Sequence, residues 1–316
     1  MKTMRPSKII IDCDPGADDA IALMLACASP ELSIMGVLAA IGNAPSALTA
    51  RNACQILSLC GRKDIPVFRG ADNFLRGNFT FDDAYCGWDG LCETGLFRQK
   101  EIPCAENGIA WLIQTLLDAK EPIKILSIAP MTNLATAIEQ RPEIINKIDR
   151  IITTSGYYGV CPSEKLQAPR REWNIAVDPY AAKVVFDTSV PIYALGLDVT
   201  VQLDNTFANR ILKDTGQGAK SEFLRRATEF YLTKGLEPYS LFVDAMAVAY
   251  AIRPEIAEFT PGVISLQPEC QTEDFMSLHP ADGRTASAYA SHSFSFAQYE
   301  TLLRERIFHD EISHVK

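Results

Sequence analysis

The chain has 316 residues, 47% of them hydrophobic and 22% charged, and carries a formal net charge of -9. This is enough chain for one large α/β domain or two small ones around a substantial core, and the composition excludes extended disorder. The acidic balance argues against a nucleic-acid polymer as partner and leaves a small uncharged ligand open.

The N-terminus enters a strand without the apolar stretch of a secretion signal, and the longest apolar run, Ile21 to Ala28, is too short to span a bilayer. Nine cysteines contain no Cys-x-x-Cys pair. Reduced thiols in a cytoplasmic protein with no membrane contact are therefore expected.

In chain order, the β-branched run Lys8–Asp12 predicts a strand and Ala20–Ala28 a helix stopped by Ser29-Pro30. Ile34–Ala40 predicts the next strand, Ala47–Leu59 a helix, and Pro66–Phe68 a short strand. Helices follow at Ile109–Ala119, Leu134–Gln140 and Pro179–Phe186, alternating with strands at Ile123–Ser127, Arg150–Thr153 and Ile192–Leu195. Such alternation, with no Gly/Ser-rich linker and no repeat, predicts a single α/β domain over 1–316. Its sheet is expected to be open, doubly wound and mostly parallel, flanked by helices. Residues 70–105 and 156–173, rich in Gly, Asp and aromatics, break the pattern and are expected to be lid-like loops over a site.

The segment Ile9–Ala20 is the most informative. Asp12, Asp14, Asp18 and Asp19 fall within eight residues between a strand and a helix. Crowding four carboxylates in a partly buried turn costs several kcal/mol unless a cation neutralises them. Helix capping needs only one or two of them and is worth about 1 kcal/mol. Oxygen-only ligands point to calcium or magnesium rather than zinc. Pro15-Gly16 tightens the turn and lets backbone approach closely.

Three helices share a layout: an oxygen-bearing residue at the first turn and a proline stop about three turns later. They begin at Asp18-Asp19, Thr132-Asn133 and Asp244, and end at Ser29-Pro30, Arg141-Pro142 and Arg253-Pro254. If their first turns meet at one sheet edge, Asp19, a carbonyl near Thr132, and Asp244 can share one ion. Asp244, lying between Val243 and Ala245 in an apolar stretch, needs a partner if buried.

Asp12-Cys13-Asp14-Pro15-Gly16-Ala17-Asp18-Asp19 resembles the D-x-D-P-G-x-D-D signature of the inosine-uridine-preferring nucleoside hydrolases. Further segments resemble that family in order: Gly42-Asn43, Ala129-Pro130-Met131-Thr132-Asn133-Leu134-Ala135, Glu172-Trp173-Asn174-Ile175 and Asp244-Ala245-Met246-Ala247. The resemblance runs from residue 8 to about 255 and weakens beyond.

It implies calcium-dependent hydrolysis of the N-glycosidic bond of a ribonucleoside, in a homodimer or homotetramer. Asp14, Asp19, the Thr132 carbonyl and Asp244 would hold the ion. Asp14 would also be the general base, and Asp18, Asn43, Glu172 and Asn174 would bind the ribose. Chemistry agrees: breaking a C1′–N bond builds positive charge on the sugar, which nearby carboxylates stabilise. Glu172 and Asn174, two apart in a strand-like stretch, would face the same sugar.

The departures fall on the leaving base. Val243 stands where family members that favour inosine and uridine carry a histidine, and Asp83 replaces another, ahead of Gly87-Trp88-Asp89-Gly90. Leu166 stands where the family has an asparagine. Asp83, Trp88 and Tyr239 are candidate base contacts, as are Tyr157, Tyr158 and Trp173. All four histidines lie in the last forty residues, from where His279 or His292 would have to reach the site. Arg170-Arg171 offers a locus for an anionic group. A weakly active or silent homologue that binds a ribosyl ligand at the calcium site is the alternative.

Overall fold

The computed structural model describes residues 5–308 apart from 78, 82, 96–103, 162–170, 214, 271, 273, 274 and 284. The chain opens β1 (Ser7–Cys13), α1 (Ala17–Cys27), β2 (Leu32–Ala39), α2 (Ser46–Leu59), β3 (Val67–Arg69), α3 (Gly108–Asp118) and β4 (Ile123–Ser127). It continues α4 (Thr132–Gln140), β5 (Ile148–Thr153), α5 (Trp173–Val177), α6 (Pro179–Phe186), β6 (Ile192–Ala194), α7 (Leu197–Thr200), α8 (Asn205–Lys213) and α9 (Ala219–Thr233). It closes α10 (Ala245–Ile252), β7 (Ala257–Leu266), β8 (Met276–His279), β9 (Ala288–Phe294) and α11 (Phe296–Leu303).

Nine strands form one sheet in the order β3-β2-β1-β4-β5-β6-β9-β7-β8. Pairing is parallel from β3 through β9, and β7 and β8 add an antiparallel margin. The expected open, mostly parallel α/β architecture is found. Fully buried Ile9, Ile10 and Ile11 show why β1 reads as an unbroken apolar run: helices cover both faces of the sheet. Ile9 and Ile11 join the core under α1, α2, α8, α9 and α10, whereas Ile10 joins the one under α3, α4 and α6.

The proline stops hold. Helices α1, α4 and α10 end at Cys27, Gln140 and Ile252, each shortly before a Pro that the helix cannot pass. Two expectations change. The stretch at Glu172–Asn174 is no strand but the start of the five-residue helix α5, too short to show periodicity. Beyond residue 255, where the resemblance fades, the chain supplies three strands of the same sheet. All nine cysteines are unpaired. Among the described residues no helix is long and apolar enough to cross a membrane.

Candidate active site

Chain direction sets the place of the site. Strand β1 lies between β2 and β4, so the connections leave it in opposite directions and open a crevice at the carboxyl edge. Asp12 pairs in register with Leu38 and Ser127, and Ser127 with Thr153. Residues just past those strands (Asp14, Asn43, Ile128 and Thr154) therefore meet. With Asp18, Glu172, Trp173, Asn174, Val243 and Asp244 they line a well of about 100 Å³.

At its base, carboxylate oxygens of Asp18, Asp19 and Asp244 lie within 4.8 Å of one another. Asp19 is held on all sides: its Oδ1 accepts from the Asp14 N–H (3.2 Å), its Oδ2 from the Gly16 N–H (3.0 Å) and Asn43 Nδ2 (3.1 Å). It thus caps α1 and belongs to the cluster as well. Asp14 Oδ2 accepts a 2.6 Å bond from the Asn43 N–H, and its Oδ1 has no hydrogen-bond partner among the described residues. Asn43 Nδ2 also reaches the Asp14 carbonyl (3.1 Å), lashing the loop after β2 to the acidic turn. Asp244 takes a 2.6 Å bond from the Thr154 hydroxyl.

Burial holds the carboxyls of Asp14, Asp19 and Asp244 well above the usual carboxylate range, and repulsion among them and from Asp18 adds to it. Asp12, fully buried with Asn133 Nδ2 on one oxygen, is pushed up to about 7, and its other oxygen has no partner. No Lys, Arg or His lines the well among the described residues. The donor set is oxygen only and lacks a counter-charge, which fits a hard cation.

Thr132, expected to offer its carbonyl to the ion, does not line the well. The Thr132 carbonyl is engaged inside α4, accepting from the Thr136 hydroxyl (2.7 Å), and the Thr132 hydroxyl donates to Asp178 Oδ2 (2.7 Å). The backbone carbonyl at the well is that of Ile128, 3.4 Å from Asn174 Nδ2. Thr132 and Asn133 instead tether the loop after β3: Asp178 Oδ2 also accepts from the Leu75 N–H (2.7 Å), and Asn133 Oδ1 from the Ala71 N–H (2.9 Å). Asp178→Asn can keep its oxygen on these two donors only by turning its amide NH2 onto the Ala181 N–H that Asp178 Oδ1 accepts at 3.2 Å, and is expected to cost about 1–3 kcal/mol. Urea unfolding should show the loss, and limited proteolysis should nick the chain after Gly70. An unaltered cleavage pattern would remove the anchoring role.

Glu172 caps α5, its oxygens accepting from the N–H groups of Asn174 (2.8 Å), Ile175 (3.1 Å) and Gly156 (3.0 Å). This cap, rather than strand alternation, brings Glu172 and Asn174 to the well together.

Asp18, Asn43 and Trp173 also border a second, larger cavity of about 360 Å³, lined further by Phe74, Phe79, Thr80, Tyr85, Cys86, Val177 and Tyr231. Most of these escaped the sequence reading. Tyr231, on the amphipathic helix α9, carried no signal beyond helical spacing. Asp83, Trp88 and Tyr239 do not border either cavity: Asp83 is exposed, Trp88 is 64% exposed, and Tyr239 packs on the core. The Tyr158 hydroxyl is buried on the Ser155 carbonyl.

His279 on the margin strand β8 bonds Ser277, and His292 on β9 contacts Thr260 and Glu258, so neither reaches the site. His309, His314, Leu166 and Arg170 lie outside the described residues. Arg171 lies over the Phe275 ring and donates to the Cys270 carbonyl, away from the well.

Solved structures of nucleoside hydrolases share this fold. A plant nucleoside hydrolase (PpNRh1) superimposes with a TM-score of 0.85 at 26% identity, covering 96% of this chain and 99% of its own. A purine-preferring ribonucleoside hydrolase from Gardnerella vaginalis gives 0.79 at 23% identity, covering 95% and 98%. Residues 9–297 match the family described as inosine-uridine preferring nucleoside hydrolase, and the chain belongs to that family. The match extends past residue 255, further than the sequence resemblance reached. The pyrimidine-specific ribonucleoside hydrolase RihA of Escherichia coli O81 (strain ED1a) is 34% identical over 257 residues, 78% of this chain and 80% of its own. An uncharacterized Schizosaccharomyces pombe protein is 34% identical over 285 residues, 87% of this chain and 89% of its own.

Proposed function

We propose that the protein hydrolyses the N-glycosidic bond of a ribonucleoside to free base and ribose, with a hard divalent cation, calcium, at the acidic well. The observation that carries this reading is the convergence of Asp18, Asp19 and Asp244 within 4.8 Å without a basic neighbour. Asp19 and Asp244 would hold the ion, joined by Asp14, Asp18 and the Ile128 carbonyl. When bound, the cation supplies the positive charge that keeps these carboxylates ionised and acidifies water in its shell.

Asp14 is the general base, its Oδ1 open to take a proton from the attacking water. Asn43 holds Asp14 and Asp19 in place and lines the well beside the sugar. Glu172 and Asn174, set by the α5 cap, bind ribose hydroxyls and fix the ring beside the water. The surrounding carboxylates stabilise the positive charge that grows on the ribose as the bond breaks.

Gly42 packs against Asp14 so closely that an added Cβ would lie 2.0 Å from Asp14 Oδ2. Gly42→Ala is therefore expected to displace the base and lower kcat about 100-fold, and to cost about 1–3 kcal/mol of stability through overpacking. A kcat within twofold of wild type would show that Asp14 need not sit where it does.

Val243 at the well favours a second reading, a homologue that binds a ribosyl ligand with little turnover. Calcium-dependent release of reducing sugar from purine and pyrimidine ribonucleosides separates the two. Turnover supports the hydrolase, whereas calcium-dependent binding without sugar release supports the silent homologue. We further read residues 1–316 as one domain, cytoplasmic and assembled as a homodimer or homotetramer. Light scattering tests the assembly.

A further inference from the structure

We infer that the preferred substrate is a ribonucleoside whose leaving group is a cationic, N-quaternised heteroaromatic ring, such as a pyridinium riboside. The inference rests on the hydrolase reading and concerns the larger cavity beside the well.

Its walls are aromatic. Phe74 and Phe79 meet edge to face with centroids 5.6 Å apart, and Tyr85 and Trp173 lie 6.3 Å apart at 46°. Tyr85 and Trp173 are two of only four exposed large hydrophobic side chains among the described residues, at 53% and 54%, and both sit at this cavity. Apolar rings left in water at the mouth of a cavity mark a ligand surface. Aromatic faces hold quaternary nitrogen cations well, because the ring quadrupole attracts charge that no hydrogen bond can satisfy.

The charge balance points the same way. Asp14, Asp18, Asp19, Asp244 and Glu172 converge next door, five acidic side chains with no basic one among them. No Lys, Arg or His lines either cavity among the described residues to repel a cationic base.

Leaving-group chemistry completes the case. A neutral purine or pyrimidine departs as an anion unless an acid protonates it, and that assistance is typically worth about 10²–10⁴-fold. Val243 cannot give a proton, and the described histidines are remote. An N-ribosyl pyridinium needs no proton. Its C1′–N bond breaks with the electron pair going to the ring nitrogen, which leaves as a neutral base. Water adds at C1′ and loses one proton to Asp14, giving ribose, the heteroaromatic base and one proton released to solvent.

The test has two arms. In the first, the calcium-loaded protein is assayed with nicotinamide riboside, inosine, adenosine, uridine and cytidine. The expected result is a kcat/KM for the pyridinium riboside at least about 100-fold above the neutral nucleosides. Equal or higher values for any neutral nucleoside overturn the inference and leave the hydrolase reading standing. Sugar release from none of them removes the hydrolase reading itself.

The second arm needs no turnover. Calorimetric titration with 1-methylnicotinamide is compared with titration by neutral nicotinamide, in wild type, Trp173→Leu and Tyr85→Leu. The cation should bind more tightly, and each substitution should weaken it about 2- to 30-fold. Equal affinity for the neutral ring, or indifference to both substitutions, overturns the inference whatever the first arm shows.

Discussion

Asp14→Asn is expected to lower kcat by at least about 10³-fold, within the range that general-base and charge-stabilising groups contribute, while the protein stays folded. Asparagine has nearly the same shape, and its Oδ1 can still accept from the Asn43 N–H that bonds Asp14 Oδ2 at 2.6 Å. It cannot take a proton from water. Relieving one member of a crowded carboxylate set also removes repulsion that Asp19 and Asp244 impose on Asp14, so stability of the ion-free protein should hold or rise slightly. Single-turnover sugar release together with urea unfolding checks both halves. Activity near wild type would take Asp14 out of the role of base.

Removing divalent ions is expected to have the next largest effect, and it carries a pH signature. The carboxyls of Asp12, Asp14, Asp19 and Asp244 lie above their usual values in the folded protein, Asp12 near 7 against an ordinary 3.8. A group whose folded value is raised favours the fold while protonated. Its contribution is full in acid and is lost as pH rises through the folded value. Ion-free protein should therefore lose stability between about pH 4 and pH 7, a window set by the shift of Asp12.

Calcium favours the ionised set. At about 100 times its Kd it should add about 2.7 kcal/mol at neutral pH, a rise of roughly 5 °C in Tm. Asp244→Asn should abolish most of that rise. Calorimetry of chelator-treated protein from pH 5 to 8, with and without calcium, decides it. A Tm indifferent to calcium at pH 8 would show that no ion binds the cluster.

Local chemistry made part of the site legible. Asp14, Asp18 and Asp19 lie within one turn, and Asp244 stood out as a carboxylate facing an apolar helix. The Thr132-Asn133 segment was recognisable, but its task was not. A backbone carbonyl leaves no trace in side-chain pattern, and only the end of β4 shows that Ile128 presents one to the well. Glu172 and Asn174 were placed together for the wrong local reason, since a five-residue helix shows no period.

The aromatic cavity was the least legible. Phe74, Phe79, Tyr85, Trp173 and Tyr231 come from three separate segments of the chain. Trp88 and Tyr239 looked equally suitable in sequence but face elsewhere.

By itself the sequence determined the alternation that builds a parallel sheet, the proline stops and the inventory of oxygen donors, because each depends on neighbours a few residues apart. The tertiary structure alone decided which carbonyl faces the acidic well, which rings wall the cavity and that His279 and His292 lie away from both. Those are contacts between segments brought together only by strand order, and no local pattern encodes them.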